Sequence, residues 1–211
     1  VINKNIPPQS ILAITYNTAA AEEMESRFSS QFGAKHGKNI DFRTINSLAL
    51  KVYRDYCRKI NRPMRELIQD DDRRRLLSEI FKQHNGEYAA ENDILELSSA
   101  ITYIKNMMLT DEQIREIESE YPHLKAMYES YQKSLKDNYW MDFDDQMVFA
   151  LWILQKDEEI TSALRARYKY ICVDEAQDTS KIQHEIIKLL AQGNNLFMVG
   201  DEDQSIYGFR A

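Results

Sequence analysis

The sequence predicts an α/β protein: a parallel sheet covered by helices, interrupted by an all-helical insertion. Three observations carry that expectation. Short, almost wholly apolar segments alternate with amphipathic ones at both ends of the chain, as in "SILAITY" (10–16) and "KYICVD" (169–174); strands buried on both faces belong to parallel sheets. From about 64 to 139 the periodicity is helical and no strand is expected. Carboxylates stand where two apolar segments stop, at Asp174–Glu175 and at Asp201, and ligands of open parallel sheets sit at the carboxyl ends of strands.

Taken in order, residues 10–16 read as a buried strand, and Asn17 or Thr18 can cap the helix that follows. Met24, Phe28 and Phe32 recur every four residues, so they are expected to give that helix its core face, with Gly33 and Gly37 ending it. "IDFRTI" (40–45) reads as a second strand. Residues 46–60 read as a helix with Leu48, Val52 and Tyr56 on one side, limited by Pro63. In the middle, 65–84, 91–108 and 123–139 carry helical patterns, and Thr110 and Gln113 form a capping box for a helix beginning at 111. The acidic-then-basic run 70–75 reads as a solvated helix face. "MDFDDQMVFALWILQKD" (141–157) starts a helix with Met147, Leu151 and Leu154 at helical spacing. After the strand 169–174, Ser180 caps a helix with Gln183 three places on. Its buried face is Ile182, Ile186, Leu189 and Leu190, and Gly193 stops it. "LFMVGD" (196–201) is a last strand.

Bulk properties narrow the class. A hydrophobic share of 43% and a charged share of 29% over 211 residues suit a soluble protein with ample chain for a core. No apolar run reaches the roughly 18–20 residues of a membrane span, and no basic, apolar leader is visible, so a cytoplasmic address and no membrane partner are expected. Two cysteines, Cys57 and Cys172, make neither a disulfide scaffold nor a four-ligand zinc site. A net charge of −7 argues against holding nucleic acid by bulk attraction, though not against binding a strand in a local groove. His36, His84, His123 and His184 show no ligand spacing and read as surface residues.

The chemistry concentrates in "YKYICVDEAQDTS" (168–180). An Asp–Glu pair after a strand is more often a solvated turn when taken alone. It also fits nucleotide hydrolysis: Asp174 holding Mg²⁺, directly or through water, and Glu175 orienting and activating the attacking water. "GDEDQSIYGFR" (200–210) adds Gly200, Asp201 and Gln204, the last able to sense a terminal phosphate. Tyr207, Phe209 and Arg210 form an aromatic-basic cluster suited to stacking on bases and pairing with phosphates, or equally to packing. Tyr16 follows a strand end and reads either as core or as facing a ligand. "DFDD" (142–145) reads as a two-metal nuclease site or, more simply, as helix capping by Asp142 or Asp144.

Together these segments resemble the superfamily 1 DNA helicases of the UvrD/Rep/PcrA type. "VDEAQDTS" (173–180) with Gln183 resembles their Walker B motif, and "GDEDQSIYGFR" (200–210) their next motif almost residue for residue. "ILAITYNTAAAEEMESRF" (11–28) is similar to their DNA-contacting motif after the phosphate loop, "RTINSLAL" (43–50) to the short motif beyond it, and "MDFDDQM" (141–147) to the segment that re-enters the motor domain. The resemblance implies a RecA-like P-loop NTPase motor domain, incomplete here, over 1–57 and 141–211, with a helical inserted subdomain over 58–140. It implies a helicase that couples hydrolysis of ATP with Mg²⁺ to 3′-to-5′ translocation on single-stranded DNA and unwinding at single/double-strand junctions. Asp174 would then be the metal ligand, Glu175 the catalytic base and Gln204 the γ-phosphate contact, with Asp201 also at the nucleotide. Thr15, Tyr16, Asn46, Ser47, Tyr207, Phe209 and Arg210 would lie along the strand groove.

The chain departs from the family at Asn17, Thr18 and Ala19, where the usual Thr–Asn–Lys is missing and strand contact is expected to weaken. Asn46 stands where many members have His, and the chain ends Arg210–Ala211 where the family continues Arg–Gly–Ala. No G-x-x-x-x-G-K-[ST] loop occurs in these residues. The chain is therefore expected to be a fragment of a longer helicase, inactive alone. Two other readings stay open: a helicase–nuclease of the same superfamily, and a catalytically inactive nucleic-acid-binding protein.

Overall fold

The computed structural model describes residues 6–33, 37 and 39–201. Its main sheet has four strands in the order β2 (Asp41–Thr44), β1 (Ile11–Thr15), β5 (Tyr170–Val173), β6 (Asn195–Met198), all parallel. Each register aligns the carboxyl ends: Thr15 sits beside Thr44, and Ile14 beside Val173, which in turn faces Met198. The residues that follow β1 and β5 therefore emerge at one edge of the sheet.

Helix α1 (Thr18–Phe32) packs against β1 and β2. Of the two capping candidates Asn17 does the work, its Oδ1 accepting from the Ala20 N–H at 2.8 Å. The expected core face of α1 is not buried. Ala21 alone is fully covered, Phe28 is half-buried, and Phe32 is 46% exposed with its ring centroid 4.8 Å from that of Phe28. Period-four spacing names a face of a helix, not what lies over it.

Helix α2 (Ile45–Lys59) begins at Thr44, whose hydroxyl accepts from the Ser47 N–H at 3.1 Å. Leu48 and Val52 are buried as expected, and Tyr56 is half-buried against Trp152, edge to face at 5.7 Å. Helices α7 (Asp145–Lys156), α8 (Glu158–Arg167) and α9 (Lys181–Ala191) complete one hydrophobic core with β1, β5 and α2. The predicted faces of α7 and α9 lie in it: Met147, Leu151, Leu154, Ile182, Ile186 and Leu190 are buried, Leu189 partly so. No element is expected over 158–167, yet α8 forms there, started by Asp157, whose side chain accepts from the Ile160 N–H at 3.1 Å.

The insertion holds α3 (Asp70–Asn85), α4 (Glu91–Met107), α5 (Asp111–Ile117) and α6 (Leu124–Asp137) around a second core built on Leu77, Ile80, Leu97, Ile101, Leu124 and Tyr131. The Thr110–Gln113 capping box is present. Two corrections arise here. A parallel pair, β3 (Glu66–Leu67) and β4 (Trp140–Met141), bridges the insertion's two ends where no strand is expected. Two residues are too few to show alternation, and both positions of β3 are exposed; only the tertiary pairing defines it. The run 70–75 is not a wholly solvated face either. Arg73 turns inward, donating from Nε to the Tyr131 hydroxyl at 3.0 Å and from Nη1 to Ser98 Oγ at 2.7 Å.

β6 ends the sheet among the described residues. Its four residues are exposed, Phe197 at 63%, so coverage on both faces does not extend to this strand.

Candidate functional site

Asp174 sits directly past the last pair of the β1–β5 register. Its N–H donates to Ile14 O at 2.9 Å, and its side chain is half-buried. The next residue, Glu175, is exposed and adopts φ 52, ψ 48. A left-handed backbone at a non-glycine residue is costly and collects at functional sites. This one turns the chain into a 3-10 helix, Ala176–Asp178.

Gln177 ties the two strand ends together. Its Nε2 donates to Glu175 Oε2 at 2.6 Å, while its Oε1 accepts from the Asp201 N–H at 3.0 Å. Beside it, the Ala176 N–H donates to Val199 O at 2.8 Å. Gly200 suits this approach: a Cβ there would lie 2.6 Å from Gln177 Oε1, displacing that side chain, and 3.1 Å from the Gln177 nitrogen. Close packing of the turn on the strand end, rather than an unusual φ, accounts for the glycine.

A groove of about 280 Å³ opens at these strand ends. Asp174 and Glu175 line it on one side, Thr15 and Tyr16 on another, and Asn46 and Phe143 close it. Thr15 is buried, its hydroxyl donating to Asn17 O at 3.1 Å. Tyr16 is 39% exposed. Ser47 follows Asn46 on the exposed first turn of α2, its hydroxyl donating to Thr44 O at 2.9 Å. Gln204, Tyr207, Phe209 and Arg210 lie outside the described residues.

Two residues that the sequence reading did not select belong to this site. One is Gln177. The other is Phe143, 56% exposed in the groove. Its sequence setting, an aromatic residue flanked by Asp142, Asp144 and Asp145, does not by itself tell a groove ring from a core ring.

Those aspartates are structural. Asp142 and Asp145 cap one another: Asp142 N–H donates to Asp145 Oδ2 at 3.0 Å, and Asp145 N–H to Asp142 Oδ1 at 2.9 Å. Lys105 Nζ meets Asp142 Oδ2 at 2.7 Å and Asp145 Oδ1 at 2.6 Å, and all three side chains are almost fully buried. The Tyr131 hydroxyl donates to Asp142 Oδ2 at 3.0 Å. Burial would push the Asp142 carboxyl up, but the Lys105 charge and these hydrogen bonds outweigh it and hold the group below its usual range. For Asp145 burial wins and the group is pushed up, despite Lys105. The Asp144 side chain caps nothing; it accepts instead from Thr102 Oγ1 and Asn106 Nδ2, each at 2.9 Å. Capping by Asp142 is thus the reading of "DFDD" that the structure supports, and its buried carboxylates are already engaged.

His184 is not a surface residue. It is half-buried at α9, with Nε2 against Thr179 Oγ1. That hydroxyl already donates to Ala176 O at 2.6 Å, so the histidine must supply the proton between them. Burial, aided by Lys188, pushes the imidazole pKa down. His84 is half-buried too, 3.0 Å from Ser130 Oγ. Cys57 and Cys172 are both free thiols.

Among the described residues no group of three or more His, Cys, Asp or Glu side chains forms a ready-made metal cage. The turn after β5 offers something sparser: the Asp174 and Glu175 carboxylates, which line the groove. One or two oxygen donors, with water and phosphate completing the shell, is how Mg²⁺ is held, so the donor set fits that ion.

A parallel sheet with carboxylates at adjacent strand ends, and a helical subdomain set into it, defines a RecA-like P-loop NTPase motor domain of the mixed α/β class. The chain belongs to the UvrD/REP helicase N-terminal domain family, whose model matches residues 1–211. It is 30% identical over 211 residues to the ATP-dependent DNA helicase PcrA of Staphylococcus epidermidis and, equally, to that of Staphylococcus aureus. The match covers 98% of this chain and 29% of each relative, so the chain spans under a third of their length. No helix among the described residues is long and apolar enough to cross a membrane.

Proposed function

We propose that this chain is the part of an ATP-dependent DNA helicase that joins the hydrolytic carboxylates to a single-strand groove. One observation carries the proposal: Asp174 and Glu175 line the same groove as Tyr16, Asn46 and Phe143. A phosphohydrolase needs no exposed rings beside its carboxylates, and a passive strand binder needs no strained glutamate at a strand end.

Within the whole protein, Asp174 would hold the magnesium that accompanies ATP. That ion supplies charge neutralisation on the phosphates. Glu175 orients the attacking water and accepts its proton at the carboxylate, which Gln177 steadies. Asp201 and Gln204 complete the nucleotide side of the proposal. Tyr16 and Phe143 bind bases by stacking, together with Tyr207 and Phe209, while Asn46, Ser47 and Arg210 track the backbone and the buried Thr15 forms part of the groove wall. No phosphate cradle of the G-x-x-x-x-G-K-[ST] form occurs within these 211 residues.

The expected division into 1–57 with 141–211, and 58–140, is supported by two separate hydrophobic cores. Single-stranded DNA and single/double-strand junctions are the proposed partners, and translocation runs 3′ to 5′ as the family resemblance implies.

Replacing Tyr16 and Phe143 by alanine in the full-length protein tests the shared groove. DNA-stimulated ATP hydrolysis then falls while DNA-free hydrolysis persists. Equal loss of both rates, or loss of neither, would contradict it.

A further inference from the structure

Phe143 sits between residues that are all held from the helical insertion. Lys105 reaches Asp142 and Asp145, and Thr102 and Asn106 both donate to Asp144. The three donors stand on α4 at positions 102, 105 and 106, spacings that share one helix face. Residues 142–145 are closed on themselves by the two cap bonds and clamped at three acids, while the ring among them remains 56% exposed in the groove. Capping alone accounts for the backbone bonds. It does not account for a lysine that is 1% exposed in its side chain, nor for both hydrogen bonds to Asp144. A buried ion pair is a poor way to gain stability but an effective way to fix geometry.

We infer that Lys105, Thr102 and Asn106 are positioning residues through which α4 of the insertion sets the place of the Phe143 ring in the strand groove. The inference rests on the reading of that groove as a single-strand site. A ring fixed before binding spends no ordering entropy when a base arrives. Movement of the insertion would accordingly change the grip on the strand without any contact between α4 and DNA.

The test uses the full-length protein and oligo(dT) binding by fluorescence anisotropy, beside DNA-free ATP hydrolysis and the thermal midpoint. Thr102→Val with Asn106→Ala removes both partners of Asp144 and leaves the buried ion pair in place. Phe143→Ala is expected to weaken oligo(dT) binding about tenfold or more, the loss of one stacked base. The Thr102/Asn106 pair weakens it roughly threefold or more, the scale of indirect coupling, with DNA-free hydrolysis unchanged. Thr102→Ser, which keeps the hydroxyl, retains the original affinity. In the Phe143→Ala background the pair adds no further loss. An equal loss in that background, or unchanged affinity in the pair alone, overturns the inference. Failure of the underlying reading looks different: the unsubstituted protein then shows no oligo(dT) affinity, and the positioning role falls with it.

Discussion

The Asp174 N–H donates to the carbonyl oxygen of Ile14 at 2.9 Å. This bond holds the first carboxylate of the Asp–Glu pair level with the end of β1, two residues before Tyr16. A change in the turn after β5 is therefore felt within one hydrogen bond of the strand that carries the ring. Under the proposed function, coupling between hydrolysis and strand grip would have a short covalent and hydrogen-bonded route here.

Glu175→Gln in the full-length protein should abolish steady-state hydrolysis while ATP still binds. The amide keeps the shape and cannot accept the water's proton. A loss of about 10²–10⁴ in kcat is expected from removing a general base. A Glu175→Gln protein with ordinary turnover would remove the assignment.

Gln177 gives a subtler test. Gln177→Leu leaves the strained Glu175 without its 2.6 Å partner and Asp201 without its acceptor. Turnover should fall roughly tenfold, part of the contribution of a positioned base, with the KM for ATP little moved. A change confined to KM would mean that Gln177 serves binding instead.

Tyr16→Ala should cost roughly 1–3 kcal/mol of oligo(dT) binding if the ring stacks on a base. Anisotropy titration reads this directly, and unchanged affinity would take Tyr16 out of the strand site.

Lys105→Met should destabilise the fold by about 3–5 kcal/mol, because two buried carboxylates lose their shared cation. Adding Asp142→Asn and Asp145→Asn should recover part of the loss. Denaturant titration of the three proteins checks the order, and a neutral Lys105→Met would contradict the ion pair.

His184 predicts a pH dependence. Its folded-state pKa lies below the ordinary value of 6.5 because burial disfavours the cation. The fold therefore binds fewer protons here than the unfolded chain. Stability from this group is present above about pH 6.5 and is lost as pH falls through the folded pKa. His184→Gln should flatten the decline in thermal midpoint below that pH. An unchanged slope would show that other groups cause it.

Apart from α8, missed although Asp157 caps it locally, the strands and helices of the main sheet were legible because their signals are local. An apolar run reads as a buried strand, and Thr18–Phe32 follows an asparagine that caps it. What escaped was set by tertiary contact. β3 exists through pairing with Trp140–Met141, and Arg73 turns inward because Tyr131 and Ser98 wait for it. Phe32 shows the reverse, since its spacing promised burial that no neighbour among the described residues supplies. Asp174 and Glu175 were readable from their place after a strand. Gln177 was not, because its role depends on which strand ends meet, and the place of Phe143 depends on contacts its neighbours make with the insertion.

The most direct measurement is the ATP hydrolysis rate of the full-length protein with and without single-stranded DNA. The proposal predicts strong stimulation by DNA, lost in Glu175→Gln. No hydrolysis in either condition would contradict it and leave a strand-binding domain without a motor.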